Sequence, residues 1–373
     1  MGLEYDVLII GGGPVGNYLA YLLSGEYRIL VVEKKGSFGG KACTGIIGAE
    51  SYEILGFPKR AILNAFRGAT FYSKIRSFEI ARTEPQAYMV DRKTFEKELA
   101  QRAVRRGAEY WMRATFVGFK NGKAVIQRPG SVEEVEARVY VGADGIDSRV
   151  AKAIGAKSEA EFLPGFEMEV VGDFERKDFV EVWVNREMNP EFFFWVAPID
   201  EGLARVGTIG RLEHLYRFLR MRGLEPSRVV EFKAGSVGLG LRRPWVKGNI
   251  ALIGDAALQL KPLTAGGIAY GAFAAHMLKR ALDEGKLKLY EKYTKDLKRE
   301  IAFGLRARRV YRAFPQEKIE ELFEILGSRE AIEVIEPTAS FDEHAKTIKA
   351  LLKHPKLLAK LLRVSPTVIR GLL

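Results

Sequence analysis

The sequence predicts an α/β protein in which a parallel sheet with helices is joined to an antiparallel sheet and followed by a helical C-terminal region. Three observations lead to this prediction. Residues 5–33 follow a strand, glycine turn, helix, strand pattern, and residues 250–268 contain a strand that leads through glycines into a helix. Between these units, residues 163–245 contain short stretches of alternating apolar and polar residues, which are typical of antiparallel strands. The 373 residues are enough for two ordinary domains.

The first unit places a G-x-G-x-x-G turn between a β-branched strand and a helix. Gly11 permits the tight turn, Gly13 lets a pyrophosphate approach the backbone, and Gly16 lets helix and strand pack closely. The helix N-terminus offers free N–H groups and a partial positive charge to phosphates. Glu33 ends the second strand, 20 residues beyond Gly13, where it is placed to accept hydrogen bonds from a ribose. This Rossmann-type unit predicts a bound dinucleotide, either FAD or NAD.

The composition is that of a soluble globular protein, with 47% hydrophobic and 28% charged residues. The chain has no run of about 18 apolar residues, so we expect no transmembrane helix. The N-terminus lacks the charged region and cleavage site of a signal peptide. A single cysteine, Cys43, excludes an internal disulfide and fits the reducing cytoplasm.

The net charge of +12 indicates an anionic partner, for which nucleic acid, anionic lipid and a phosphorylated substrate are the candidates. We expect no nucleic acid, because the basic residues are not arranged around a known reader motif. We also expect no metal site.

Residues 34–48 are rich in glycine, which marks a loop whose backbone approaches another group closely. Cys43 lies in this loop. A free cysteine is most often a small buried apolar residue, but its place beside a predicted cofactor favours a function. Residues 60–90 alternate and predict sheet, and residues 93–106 predict a helix. Arg92 opposes the dipole at that helix start; it is either a ligand for a diphosphate or ribityl oxygen, or a solvated arginine.

Further strands are predicted at residues 109–117, 123–127 and 134–141, with Asn121-Gly122 indicating a hairpin. The last of these strands runs into Gly142-Ala143-Asp144-Gly145 before a helix.

Within residues 163–245, strands are predicted at residues 167–171, 179–184, 191–196 and 204–209. Four consecutive aromatic residues, Phe192 to Trp195, lie in the third of these strands. Phe192 and Phe194 are expected on one face, with Phe193 and Trp195 on the other. Four aromatic side chains are too many for a strand buried on one side, so we expect one face to line an apolar cavity.

Asp255 follows the strand of the second unit, and Gly266-Gly267-Ile268 opens a long helix that extends through residue 282. The carboxyl end of a parallel strand is where α/β proteins bind ligands. We therefore expect Asp255 to lie at the same site as the first glycine turn.

The remaining residues are predicted to be helical. From His344 onward the sequence has seven basic residues and no acid, and basic and apolar residues recur at helical spacing. Pro355 divides this stretch into two short helices. We favour an apolar side packed on the body and a solvated charged side; the alternative is a basic amphipathic surface that rests on anionic lipid headgroups.

Three separated motifs together resemble the FAD enzymes of the para-hydroxybenzoate hydroxylase fold, over roughly residues 1–285. These motifs are residues 11–16 with Glu33, residues 142–145, and residues 254–255 followed by 262 and 266–268. We accordingly divide the chain into a discontinuous FAD-binding domain (residues 1–162 and 246–285, with a sheet insertion near 60–90), an antiparallel-sheet substrate domain (163–245) and a helical C-terminal region (286–373).

Two further stretches resemble the geranylgeranyl reductase family. Lys41-Ala42-Cys43-Thr44-Gly45 is similar to the family's Lys-Pro-Cys-Gly loop, with Ala42 in place of Pro. Residues 190–198 are similar to its P-x-x-Y-x-W-x-F-P signature, with Phe193 for Tyr and Ala197 for Phe. The resemblance implies FAD as cofactor and, as substrates, geranylgeranyl lipids or diphosphates, which in archaea are precursors of membrane ether lipids.

Position by position, the resemblance implies a set of flavin contacts in addition to the glycine turn. These are Val15, Glu33, Cys43, Thr44, Ile46, Arg92, Phe116 (through its backbone), Asp255, Gly267 and Ile268. Phe193 and Trp195, in the aromatic signature, are the expected substrate-binding residues. An apolar tunnel lined by Phe192, Phe194 or Trp195 is expected to hold the isoprenoid chain.

Reduction of an isolated alkene needs a proton as well as a hydride, because no carbonyl polarises the double bond. Cys43 is our candidate catalytic residue for this step. A second G-x-G-x-x-G is not evident, so we expect an external electron donor, for which ferredoxin, a deazaflavin and NAD(P)H are the candidates. We expect a cytoplasmic protein, for which peripheral contact with an anionic membrane surface is the alternative given above.

Two other functions are left open by the sequence. One is a flavin monooxygenase or halogenase acting on an aromatic substrate. The other is an electron-transfer flavoprotein that docks on a membrane through its basic C-terminal residues.

Overall fold

The structure is a computed structural model that describes residues 4–366. Residues 1–3 of the predicted N-terminal unit and residues 367–373 of the predicted helical region lie outside the described residues. The strands in chain order are β1 (Glu4–Ile10), β2 (Ile29–Glu33), β3 (Ile46–Gly48), β4 (Ile62–Phe66), β5 (Gly68–Tyr72), β6 (Ser77–Ala81), β7 (Ala87–Val90), β8 (Glu109–Met112), β9 (Thr115–Lys120), β10 (Lys123–Arg128), β11 (Ser131–Gly142), β12 (Lys157–Ser158), β13 (Glu161–Val171), β14 (Phe179–Trp183), β15 (Phe194–Pro198), β16 (Leu203–Ile209), β17 (Val229–Leu239), β18 (Arg242–Arg243), β19 (Val246–Lys247) and β20 (Ile250–Leu252). The helices are α1 (Pro14–Leu23), α2 (Ala49–Ile54), α3 (Arg92–Arg105), α4 (Arg149–Ala153), α5 (Leu212–Arg222), α6 (Ile268–Asp283), α7 (Leu289–Tyr293), α8 (Lys295–Ala313), α9 (Gln316–Leu326), α10 (Arg329–Thr338), α11 (His344–Lys353) and α12 (Pro355–Val364).

The first sheet has the strand order β19-β20-β11-β1-β2-β8. The pairs β11–β20, β1–β11, β1–β2 and β2–β8 are parallel, which confirms the predicted parallel sheet. Strands β1 and β2 are nearly continuous apolar runs, as is typical of parallel strands that helices cover, and helix α1 packs against both α3 and α6. The glycine turn thus lies at the carboxyl edge of this sheet, between β1 and α1.

The predicted strand at residues 109–117 is two strands in the structure. β8 ends at Met112 in the parallel sheet, and β9 begins at Thr115 and pairs with β10 instead. Arg113, between them, has a φ of 54°, because the chain must bend sharply to change partners. The predicted hairpin at Asn121-Gly122 is confirmed, and both residues have positive φ.

The second sheet has the order β17-β13-β16-β15-β14-β5-β6. It is antiparallel as predicted, except that β14 pairs in parallel with β5. The insertion near residues 60–90, expected within the first domain, is therefore divided. β5 and β6 extend the second sheet, and β3, β7 and β4 form a separate small sheet. Strands β5 and β14 can approach closely because Gly68 has no side chain; a Cβ there would lie 2.7 Å from the Phe179 ring.

The third predicted strand of this region, residues 191–196, begins only at Phe194. The Asn189 side chain donates hydrogen bonds to Thr208 Oγ1 (2.8 Å) and to the Ile209 carbonyl (2.9 Å). These bonds hold Asn189 against the end of β16, so residues 190–193 form a loop before β15 begins. Strand β17 and helix α5 were not predicted.

The C-terminal region is helical, and Pro355 separates α11 from α12 as predicted. The apolar side chains of these helices, including Leu352, Leu357 and Leu361, are buried against neighbouring helices. The basic side chains on the opposite side are mostly exposed. Among the described residues, no helix is both long and apolar enough to cross a membrane.

Candidate active site

A cavity of about 1010 Å³ is lined by residues of both large sheets. All the predicted site residues except Gly16 lie in its walls; these are Gly11, Gly13, Val15, Glu33, Cys43, Thr44, Ile46, Arg92, Phe116, Phe193, Trp195, Asp255, Gly267 and Ile268. Gly16 lies behind the turn, where a Cβ would be 2.0 Å from the Gly11 carbonyl oxygen. The lack of a side chain at Gly16 lets the helix and the turn pack closely and does not shape the cavity. This agrees with the role predicted for the third glycine.

One end of the cavity is formed by the glycine turn and the end of β2. The Glu33 carboxylate accepts hydrogen bonds from the backbone N–H groups of Gly12 (2.7 Å) and Lys35 (2.8 Å). The buried Asn17 side chain donates to the carbonyl of Gly12 at 2.8 Å. A Cβ at Gly13 would meet no atom within 4 Å, so the turn presents its backbone to open space. This surface has the shape and donors that a pyrophosphate requires.

Helix α3 supplies a buried arginine to the cavity wall. The Asp91 carboxylate caps the helix by accepting a hydrogen bond from the Thr94 backbone N–H at 2.8 Å. Arg92, only 8% exposed, forms an ion pair with Glu96, whose other oxygen accepts from the Gly39 backbone N–H. The Arg92 Nε is buried and has no hydrogen-bond partner among the described residues. It is therefore a donor available to a ligand oxygen, and the solvated-arginine alternative is excluded.

Phe116 lines the cavity, but its carbonyl oxygen accepts a hydrogen bond from Arg149 at 3.0 Å. Asp144, in the second predicted motif, accepts hydrogen bonds from Ser148 Oγ (2.6 Å) and the Arg149 backbone N–H (2.7 Å). Burial raises the pKa of this carboxyl, although these hydrogen bonds lower it. The motif therefore orders the start of α4 beside the cavity.

Asp255, the acid that follows β20, lines another part of the cavity wall. It forms an ion pair with Lys41. Burial raises the pKa of Asp255, but the charge and hydrogen bond of Lys41, together with the charge of Arg92, lower it, and the net shift is downward. Val15 packs where side chains on Gly254 and Gly271 would lie, so α1 and α6 approach closely. No side chain caps the N-terminus of α6 at Gly267, which leaves backbone N–H groups facing the cavity.

The loop that contains Cys43 is held by an arginine of the second sheet. Arg205 donates to the carbonyls of Thr44 (2.8 Å) and Val90 (3.1 Å) and pairs with Glu169 (3.0 Å). Cys43 is half-buried and has no disulfide partner. Its thiol interacts electrostatically with the Arg92 guanidinium.

The aromatic segment is divided between the cavity and the core. Phe193 and Trp195 line the cavity, with ring centroids 6.2 Å apart. Phe194 stacks on Phe218 of α5 at 4.5 Å and is fully buried. Phe192 is also buried, beneath the Arg308 guanidinium. The expectation that Phe192 or Phe194 lines a tunnel was therefore wrong, because α5 covers the sheet face to which Phe194 points.

The C-terminal region closes part of the cavity through Phe341. The buried Lys261 donates to the Phe341 carbonyl (2.9 Å) and to the Asp342 carboxylate (2.8 Å). Burial lowers the pKa of the neighbouring His344 to about 4, so this histidine is neutral at physiological pH. Lys41, Glu167 and Lys261 also line the cavity and were not predicted to do so. For Lys41 the available signal was its place in the Lys-Ala-Cys-Thr-Gly stretch.

These observations fit a bound dinucleotide that carries a flavin. The backbone cradle at Gly13, the acid at Glu33, the unpartnered Nε of Arg92 and the uncapped helix α6 are the donors and acceptors that such a cofactor needs. Among residues 4–366, no group of three or more metal-ligating side chains occurs. The fold and the cavity define a flavoprotein.

Comparison with known proteins identifies the family. The model of the FAD binding domain family matches residues 4–209, and the chain belongs to this family. Its cofactor is FAD, and it is an FAD-dependent oxidoreductase of a geranylgeranyl-reductase-like group. An uncharacterized protein of Methanocaldococcus jannaschii is 32% identical, over 94% of this chain and 95% of its own. Digeranylgeranylglycerophospholipid reductase 2 of Methanopyrus kandleri is 28% identical, over 96% of this chain and all of its own.

Solved structures share the fold over nearly the whole chain. A geranylgeranyl bacteriochlorophyll reductase-like protein of Thermoplasma acidophilum has a TM-score of 0.82 at 22% identity, covering 97% of this chain and 99% of its own. The myxobacterial halogenase CndH has a TM-score of 0.66 at 17% identity, covering 99% of this chain and 98% of its own. At these identities the likeness concerns the fold alone.

Proposed function

We propose that this chain is an FAD-dependent reductase that saturates isolated C=C bonds of geranylgeranyl chains in membrane lipid biosynthesis. The observation that carries the proposal is that the dinucleotide cradle and an apolar wall with Phe193 and Trp195 belong to one cavity. Relatives named as digeranylgeranylglycerophospholipid reductases, at 26–30% identity, support this substrate class.

In the proposed reaction each part of the cavity has its own task. Bound FAD, once reduced, supplies hydride. Glu33, Arg92, Asp255 and the N-terminus of α6 would hold the cofactor. Phe193 and Trp195 bind the isoprenoid chain by burying apolar area, which is worth about 25 cal/mol per Å². Cys43, which lines the same cavity, would orient the reacting groups.

The decisive experiment follows the flavin and the product together. The purified protein is reduced anaerobically with dithionite and mixed with a geranylgeranyl lipid, and flavin reoxidation is recorded with product mass. We expect reoxidation accompanied by gains of two hydrogens per step. A flavin that stays reduced until oxygen is admitted would contradict the proposal and favour a monooxygenase, a halogenase or an electron carrier.

The electron donor in this proposal is external, because a second dinucleotide turn is not evident in the sequence. Ferredoxin, a deazaflavin and NAD(P)H are the candidates, and each is tested by its rate of flavin reduction. We further propose a cytoplasmic location with peripheral contact between the exposed lysines of α11 and α12 and an anionic lipid surface.

A further inference from the structure

Three neighbouring strands of the second sheet carry a row of residues that faces the cavity. Trp195 of β15 is paired with Gly207 of β16, and Gly207 is paired with Glu167 of β13. A Cβ at Gly207 would lie 2.3 Å from the Trp195 ring. The indole therefore lies across the glycine, on the same face of the sheet as Glu167.

Glu167 is a buried acid that has no counterion. It lines the cavity but is only 2% exposed, and neither carboxyl oxygen has a hydrogen-bond partner among the described residues. The Trp195 Nε1 next to it is likewise buried and unpartnered. Unpartnered polar atoms in a protein interior are costly to bury. Their place on the cavity wall, where a bound molecule can reach them, favours a functional role over a structural one.

The charged side chains near Glu167 form hydrogen bonds or ion pairs with other groups. On the same face of β13, the Glu169 carboxylate accepts a hydrogen bond from the Nε of Arg205. The Nη1 of Arg205 donates to the carbonyls of Thr44 and Val90, and Lys233 pairs with Glu231. Burial raises the pKa of Glu167, although the Thr44 side chain and the charges of Arg205 and Lys233 lower it. The net shift is upward, which favours the neutral acid.

We propose that Glu167 is the proton donor to the alkene, a role that rests on the reductase function proposed above. The side chain of Thr44, a predicted flavin contact, lies beside the Glu167 carboxyl, and Trp195 lies on the same face of the sheet. The alkene gains hydride at one carbon, which oxidises the reduced flavin by two electrons. At the other carbon a C–H bond forms as the Glu167 O–H bond breaks. The resulting carboxylate regains its proton from water when product leaves.

The test compares Glu167→Gln with Glu231→Gln, which removes an exposed acid from strand β17. In single-turnover reoxidation of reduced protein by a geranylgeranyl lipid, we expect Glu167→Gln to be slowed about 100-fold or more. Glu231→Gln should react at the wild-type rate, and Glu167→Asp should recover part of the loss. Both Gln variants should bind FAD as the wild type does.

Infrared spectroscopy tests the protonation state of Glu167 in the absence of turnover. We expect the wild-type minus Glu167→Gln difference spectrum of the FAD-free protein to show a protonated carboxyl band at neutral pH, which disappears at higher pH. A carboxylate signal at neutral pH would overturn the proposal, as would equal reoxidation rates in wild type and Glu167→Gln. A wild-type protein that the lipid does not reoxidise would instead overturn the proposed function, and the donor role with it.

Discussion

Gly13 and Gly16 lie three residues apart in the glycine turn, but an added methyl group has opposite consequences at the two positions. At Gly13 it would point into open space, and the backbone there (φ −74°, ψ −176°) suits any residue. At Gly16 it would lie 2.0 Å from a carbonyl oxygen. One glycine is therefore required by the ligand and the other by the fold.

We predict that Gly13→Ala leaves the free energy of unfolding of the FAD-free protein within about 0.5 kcal/mol of wild type. FAD affinity should fall about tenfold or more, because the methyl group occupies the place of the pyrophosphate. Denaturant unfolding and FAD titration measure the two effects. Gly118→Ala, which also points into open space on β9, is the control and should change neither quantity. Unchanged FAD affinity in Gly13→Ala would contradict the assignment of the cradle.

Cys43 is predicted to affect turnover and not cofactor binding. Cys43→Ala should retain FAD, because backbone groups and Arg92 remain, and should lower turnover roughly tenfold by loosening the reacting geometry. The FAD content of the purified variant and its steady-state rate test this. Unchanged turnover would show that Cys43 is only a small packing residue.

Some of the site residues could be predicted from the sequence alone. Glu33 and Gly13 could be predicted because their tasks depend on a local strand-turn-helix unit. Glu167 could not, because Glu167-Met168-Glu169-Val170 alternates as a strand with one solvated face does. In the structure that face borders the cavity, with Thr44 of the Cys43 loop beside Glu167, and only the tertiary structure shows this.

The N-cap of helix α3 is Asp91, which directly precedes the site residue Arg92. The stability of this helix start therefore affects the site. We predict that Asp91→Ala lowers the free energy of unfolding by about 1 kcal/mol, while Asp91→Asn, which keeps a capping oxygen, changes it by much less. Denaturant unfolding at neutral pH measures both. Equal losses in the two variants would show that charge, and not the cap, is responsible.

The Asp91 cap also has a pH dependence with a definite sign. Burial raises the pKa of Asp91, but the hydrogen bonds from Thr94 and the charges of Arg205 and Lys233 together outweigh it, so the folded-state pKa lies below the ordinary 3.8. The stabilisation is therefore complete above 3.8 and is lost as pH falls through the lower, folded-state pKa. Asp91→Asn should lack this acid-dependent loss.

At the element scale, most strands could be predicted because alternation and turn residues are local signals. Their partners could not. Residues 60–90 were correctly predicted as sheet, but β5 and β6 belong to the second sheet through a parallel pairing with β14. No short-range pattern in the sequence specifies that pairing.

For the whole molecule, the charged surface of α11 and α12 is the feature that bears on membrane contact. Because the apolar sides of these helices are buried, we expect α11 and α12 to contact lipid through their charges and not by insertion. We predict that the protein binds anionic vesicles more tightly at low salt and does not bind neutral vesicles. Replacing Lys346, Lys353 and Lys356 by Gln should weaken binding by about 1 kcal/mol for each lysine.

Vesicle sedimentation at two salt concentrations checks this prediction. Replacing Lys120 and Lys123 by Gln, on the β9–β10 hairpin, provides the control, which should bind as the wild type does. Salt-independent binding, or equal loss in the control, would contradict a specific role for the C-terminal helices.

The parallel pairing of β5 with β14 also affects synthesis of the chain. Roughly a hundred residues separate these strands, so a ribosome adding about 5–20 residues per second leaves the β5–β6 hairpin without its partner for about 5–20 seconds. During that time an open strand edge is available to other nascent chains. Slow translation of residues 73–179 should therefore favour aggregation, and chaperones that cover strand edges should raise the yield of folded protein. A chimera that exchanges only residues 163–245 with a relative would separate the two strands of this pair, so the exchanged part must include residues 68–81.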